Sequence, residues 1–169
     1  TYNTVKAELA ITVTELQGSG TKEAPYKLTS AADLVKLSNH VAAGGDTKDT
    51  YFVITTDITL PTGWTPIGSL KEGKTWASNL DKSGFNAFSG IIDGDDHTIT
   101  VPKGSKTMLG AVAGGKLSNL NIYGEKIDGY GVVEYYYVDR ANPVKVEIDN
   151  VTLKSGTHTK YSGFIGGYA

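Results

Sequence analysis

The chain has 169 residues, 39% of them hydrophobic, with 21 glycines, a formal net charge of −2 and no cysteine. Arg140 is the only arginine among 16 basic residues, and the lysines do not cluster, so neither nucleic-acid binding nor a polybasic membrane surface is expected. Without cysteine there is no disulfide, thiolate metal site or cysteine nucleophile, and no apolar run approaches the roughly 18 residues of a membrane span.

The first segment carries Leu9, Ile11 and Val13 alternating with Ala10, Thr12 and Thr14, the period of a strand. A polar, glycine-containing stretch, Gln17 to Glu23, follows and reads as a linker. That strand either pairs with the domain that follows or ends an upstream domain, the second being preferred, so residues 1–23 are expected to be an N-terminal strand and linker and residues 24–169 a separate domain. From Ser30 to Ala43 the spacing predicts a helix. Ser30 is its N-cap, Asp33 holds the capping-box position, Leu34, Leu37 and Val41 form one apolar stripe, and Gly44-Gly45 stops it.

Tyr51 to Leu60 alternates cleanly and predicts one strand, with Phe52, Ile54, Thr56, Ile58 and Leu60 on one face. Pro61 to Ser83 holds both tryptophans and reads as a long loop, with Trp64 packed beneath it and Trp76 exposed. From Phe88 onward short apolar runs alternate with Gly or Asn corners, and no helix is suggested.

Two of these runs share a grammar. Leu117-Ser118-Asn119-Leu120-Asn121-Ile122 and Ile148-Asp149-Asn150-Val151-Thr152-Leu153 space their apolar residues by three and then two. Val144, Val146 and Ile148 fall on even numbers, whereas Val151 and Leu153 fall on odd ones. A flat strand would turn an apolar side chain into water at such a slip. A corner absorbs it, and Asn tolerates the left-handed backbone a corner needs. Corners repeated along a chain coil the strands into a solenoid. Gly110-Ala111-Val112-Ala113-Gly114-Gly115 recurs as Gly163-Phe164-Ile165-Gly166-Gly167, with Gly131-Val132-Val133 as a degraded copy. The expected fold is all-β, a right-handed parallel β-helix (β-solenoid) of about three coils after Phe88. The one α-helix caps its N-terminal end, and more coils are expected beyond the C-terminal end.

Three segments also carry a resemblance: Pro25 to Leu34, Trp64-Thr65-Pro66-Ile67-Gly68, and Phe88 to Ile99. Together with Ser162-Gly163-Phe164-Ile165-Gly166, which is similar to the glycine-bracketed GLUG motif, they resemble modules of large extracellular bacterial proteins. Those include adhesin-like proteins and the non-catalytic part of IgA-peptidase-type proteins. The first strand resembles the closing strand of a fimbrillin-type domain. The resemblance implies a secreted, cell-surface module of adhesive or structural role, without cofactor. Its partners would be a host or bacterial surface glycan or protein. The stretch from Val132 to Pro143 is bulkier than the usual repeat.

The candidate binding residues are Tyr135 and Tyr137, which share a strand face, with Asp139 and Arg140 beside them and Trp76 on its loop. Flat aromatic surface next to polar groups suits sugars or a protein partner. The acidic cluster Asp93, Asp95 and Asp96 offers oxygen ligands to calcium or a carboxylate pair for sugar chemistry. Further ligands at calcium-loop spacing are missing, and the preferred reading is a tight turn in which Gly94 supplies positive φ. His97 beside this cluster is a conceivable general acid, with a structural role preferred. His40 lies near the helix end and His158 in a threonine-rich turn, and the three histidines lack metal-ligand spacing. No nucleophile elbow, phosphate loop or dinucleotide fingerprint is present. The expectation is a non-enzyme, with a polysaccharide lyase or glycoside hydrolase, or a plain spacer, as the alternatives.

Overall fold

A computed structural model describes residues 15–71, 84–129, 131–136, 144–158 and 165–167. The chain is strand-rich with one helix, and its sheets are largely parallel. The elements in order are β1 (Tyr26–Leu28), α1 (Ala31–Ala42), β2 (Tyr51–Ile54), β3 (Ile58–Thr59), β4 (Ser69–Leu70), β5 (Phe85–Asn86) and β6 (Ile91–Asp93). There follow β7 (Thr98–Thr100), β8 (Leu109–Val112), β9 (Gly115–Ile127), β10 (Val133–Tyr136), β11 (Val146–His158) and β12 (Ile165–Gly167).

The helix forms as its caps require. The Asp33 amide donates to the Ser30 hydroxyl, and the Asp33 carboxylate accepts from the Thr29 amide, the Thr29 hydroxyl (2.8 Å) and the Ser30 hydroxyl. Partial burial works against this carboxylate's charge, but the Thr29 and Ser30 bonds and Lys36 outweigh it and hold the group below the usual carboxylate range. Gly44 takes a left-handed φ of 86° just after the C-cap, Ala43, where a side chain would be strained. Leu34, Leu37 and Val41 are buried in the single core, and the Ser38 hydroxyl ties the helix to the Thr65 carbonyl at 2.9 Å.

The strands stand in three parallel stacks, each with an inner column of apolar residues in register. Phe52, Ile92, Leu117 and Ile148 make the first column. Ile58, Ile99, Ile122 and Leu153 make the second. Ile67, Leu109 and Val133 make the third, and the backbone of β12 pairs beyond them, Ile165 with Val133. Each buried aliphatic side chain contributes about 1.5–3 kcal/mol gross, and together the columns with the helix stripe form the core. The strand β9 serves two stacks, since its first part pairs with β6 and its later part with β7. The change of stack falls at Asn119, and on β11 at Asn150. Both have φ near 50°, which is the corner geometry that the parity slip anticipates.

Several expectations are corrected. Tyr51 to Leu60 is two strands, β2 and β3, with an exposed corner at residues 55–57 that leaves parity unchanged. The described part of the Pro61 to Ser83 stretch, residues 61–71, is not all loop, since it contains β4. There β4 pairs antiparallel with β5, while Trp64 is buried as expected and donates its indole N–H to the Thr107 carbonyl at 3.0 Å. The glycine-bracketed repeats do stack in one sheet, β8, β10 and β12. Their register, however, aligns Leu109 rather than Val112 with Val133 and Ile165. Val144 is 38% exposed instead of inward, because the core column of β11 begins at Val146. His158 ends a strand, paired with Ile127, rather than lying in a turn. The stretch after Leu16 packs against the fold. Leu16 is buried, the Lys27 amide donates to the Gln17 carbonyl, and the Tyr51 amide donates to the Gly20 carbonyl. The strand expected at residues 9–14 lies outside the described residues.

Candidate functional site

Of the expected binding residues, Tyr137, Asp139, Arg140 and Trp76 lie outside the described residues. Tyr135 is half-buried on β10 and donates its hydroxyl to Glu134 Oε1 at 3.2 Å, and Tyr136, also half-buried, donates to the Val144 carbonyl. The two tyrosines do not split cleanly into inner and outer. Between Val133 and Tyr136 the register against β12 shifts, and a bulge breaks strict alternation. Glu134, which alternation would turn outward, is buried.

The acidic corner is a structural tie. Asp93 Oδ1 accepts from the Asn119 side-chain amide at 3.0 Å and from the Asp95 backbone amide at 3.1 Å, and Asn119 Oδ1 in turn accepts from Asn150 Nδ2 at 2.9 Å. Polar side chains thus stack across three successive strands at the corner. The positive φ belongs to Asp95 (46°) and Asp96 (61°), not to Gly94 as the sequence suggested. Gly94 is needed for a different reason: a Cβ there would meet the Asn119 carbonyl oxygen at 2.3 Å. Among the described residues no three His, Asp or Glu side chains gather in a way that could hold a metal ion. His97 Nδ1 lies 3.2 Å from Asp57 Oδ1, which also accepts the Thr98 amide at 2.8 Å. These bonds, the Thr98 amide first and His97 second, hold the Asp57 carboxyl below the usual carboxylate range.

A groove of about 680 Å³ runs between the loop after α1, the β4–β5 pair and the start of β9. Lys48, Lys71 and Lys145 reach it together with Asp46 and Asp49. Lys145 is engaged with Glu147 at 2.6 Å, and Asp46 Oδ1 accepts the Lys48 backbone amide, so the rim is of mixed sign.

The outward faces of the first two stacks differ in chemistry, and this is what the sequence reading missed. On the first stack the outer residues are tied to one another. Lys116 reaches Asp149 at 3.2 Å and Glu147 at 4.0 Å, above half-buried Ile91 and Tyr51. On the second stack the outer rows are Thr59, Thr100, Tyr123 and Lys154, and beside them Thr98, Asn121 and Thr152. Tyr123 is 51% exposed, the most exposed large apolar side chain among the described residues. The four threonine hydroxyls of these rows, the Tyr123 hydroxyl and the Lys154 ammonium bond to no other side or main chain among the described residues, whereas Asn121 Nδ2 is held by the Asp96 carbonyl at 2.9 Å. Outward positions follow no hydrophobic period, so this face becomes visible only when the register is known.

No family model matches the chain, and no solved structure matches it. Among curated proteins it is similar to Halomucin of Haloquadratum walsbyi, at 28% identity over 120 residues. The match covers 67% of this chain and 1% of that protein, so the chain corresponds to a very small part of its relative.

Proposed function

We propose that the chain is a non-catalytic cell-surface module in which a right-handed parallel β-helix acts as a scaffold for adhesion or ligand presentation. The three in-register inner columns and the left-handed asparagine corners support the scaffold. The similarity to a protein named a halomucin supports an extracellular or surface location. One observation carries the binding role. The outward face of the second stack presents an exposed aromatic ring among unbonded hydroxyls on rigid strands, the combination that recognises a surface glycan or a polar protein patch. Affinity then comes from a few exposed side chains on a fixed frame, with no chemical step.

Screening the whole chain against a glycan array and against extracellular-matrix proteins tests this reading. Selective binding, with the polysaccharide left intact, is the expected result. Shortening of a bound polysaccharide would overturn the non-enzyme reading in favour of a carbohydrate-active β-helix. Absence of all binding would leave a spacer and overturn the adhesive role. Repeating the screen with Tyr135→Ala and Tyr137→Ala reports whether the β10 tyrosines contribute.

A further inference from the structure

The second stack's outer face has a chemistry that narrows the ligand, and the inference drawn from it rests on the surface-module reading above. We infer that this face is a binding strip for a carboxylate-bearing polysaccharide, with Tyr123 as the stacking platform and Lys154 as the carboxylate contact.

The argument begins with the ladder. Thr100, Tyr123 and Lys154 sit in register on three neighbouring parallel strands, and Thr98, Asn121 and Thr152 form the parallel row two residues earlier. Interstrand spacing sets each row at about 4.8 Å per step, and two residues along a strand set the rows about 6.6 Å apart. The side chains are thus held in a flat array by backbone hydrogen bonds. The ring lies in register between Thr100 and Lys154 and is 51% exposed. A pyranose offers a C–H face to such a ring and hydroxyls at its rim to neighbouring donors and acceptors.

The free polar groups decide the ligand's character. Lys154 has no carboxylate partner among the described residues, in contrast to Lys116 and Lys145 on the first stack, and Lys103, which meets Glu125 at 2.6 Å. A cation without a carboxylate partner among the described residues, beside a stacking ring and a row of threonine hydroxyls, complements a sugar acid rather than an apolar peptide. An apolar partner would leave those hydroxyls and the ammonium desolvated without bonds.

Titration calorimetry of the full chain with oligogalacturonates and, separately, with cello-oligosaccharides tests this directly. Tighter binding of the oligogalacturonates is expected, weakening as salt rises. Tyr123→Ala is expected to weaken it about ten-fold and Tyr123→Phe to retain most of it, as loss and retention of the ring require. Lys154→Gln is expected to lower affinity about three-fold at low salt and to flatten the salt dependence. Lys116→Gln on the first stack serves as the unaffected control. All three positions are exposed or half-exposed on the strand surface, so folding is not at stake. Undiminished binding by Tyr123→Ala would overturn this inference while leaving the adhesive reading standing. Equal affinity for charged and neutral chains would remove the carboxylate contact. A wild-type chain that binds no glycan of any kind, and no matrix protein, would overturn both.

Discussion

The turn from the first strand stack to the second is made in two ways. Early in the chain it takes several residues, 55–57 between β2 and β3 and 94–97 between β6 and β7. Later it takes one, Asn119 in β9 and Asn150 in β11, each with φ near 50°. The wide corner at 94–97 rests on the narrow one beside it. The Gly94 amide donates to the Ser118 carbonyl and the Asp96 amide to the Asn119 carbonyl, both at 2.8 Å. A narrow corner needs one residue that accepts left-handed geometry and a side chain to satisfy its neighbours. A wide corner needs side-chain ties to hold its extra residues, and Asp57 with His97 and Thr98 supplies them. The lesson is that a bend of the same position in the fold is either local and backbone-driven or distributed and side-chain-driven.

The largest expected effect tests the seating of the wide corner on the narrow one. Gly94→Ala would place a Cβ 2.3 Å from the Asn119 carbonyl oxygen and 2.7 Å from the Leu120 Cβ, so the two strands must separate. A loss of about 3 kcal/mol in urea unfolding is expected. Gly63→Ala is the control. Unlike Gly94 it has positive φ, and it meets nothing within 4 Å, so it feels only the strain of a left-handed backbone and a loss of about 1 kcal/mol is expected. Equal losses would mean that the close approach of the two corners costs no more than a left-handed φ in open space, and that their stacking does not set the glycine requirement.

The narrow corners should be graded by their bonds. Asn119→Ala removes a left-handed-tolerant residue, a bond to Asp93 and one from Asn150, and is expected to cost about 2–3 kcal/mol. Asn119→Gly keeps the backbone freedom and loses only the bonds, so it should recover roughly half of that. Asn150→Ala keeps the Asp93 tie and is expected to cost about 1–2 kcal/mol. A reversed order of the two alanine variants in chemical denaturation would break the ladder account.

These same residues show what the sequence discloses. Asn119 and Asn150 were legible because a one-residue corner flips side-chain parity, and apolar residues on both sides record the flip. The 55–57 corner was not, because Ile54 and Ile58 keep the same parity across it and the alternation reads through as one strand. The helix was legible from its caps and stripe, which act within a few residues. Val144 was misplaced because an apolar residue next to an alternating run looks like part of it, although the column starts two residues later. Gly94 was assigned to turn geometry when its role is close approach to a strand distant in sequence. For the site, the Tyr135 position was named, but its half-buried setting follows from a bulge that local pattern does not encode. Tyr123 was overlooked because its neighbours Thr100 and Lys154 come from other strands, and only register brings them together.

The smallest effect concerns pH and separates the two corner types most cleanly. Asp57 is a titrating tie of the wide corners, whereas the Asn119–Asn150 contact carries no ionisable group. The Thr98 amide and His97 hold the Asp57 carboxyl below its ordinary range in the folded chain. Its stabilising contribution is therefore present above the unfolded carboxylate value near about 4 and is lost as pH falls through the lower folded value. Asp57→Asn keeps an oxygen for the Thr98 amide but cannot ionise. Urea midpoints of wild type and Asp57→Asn should differ by a small, constant amount from pH 6 to 5 and converge below pH about 4. The gap between wild type and Asn150→Ala should stay flat over the same range. A wild-type to Asp57→Asn difference that does not narrow in acid would mean that the wide corner, like the Asn119–Asn150 contact, draws nothing from an ionised group.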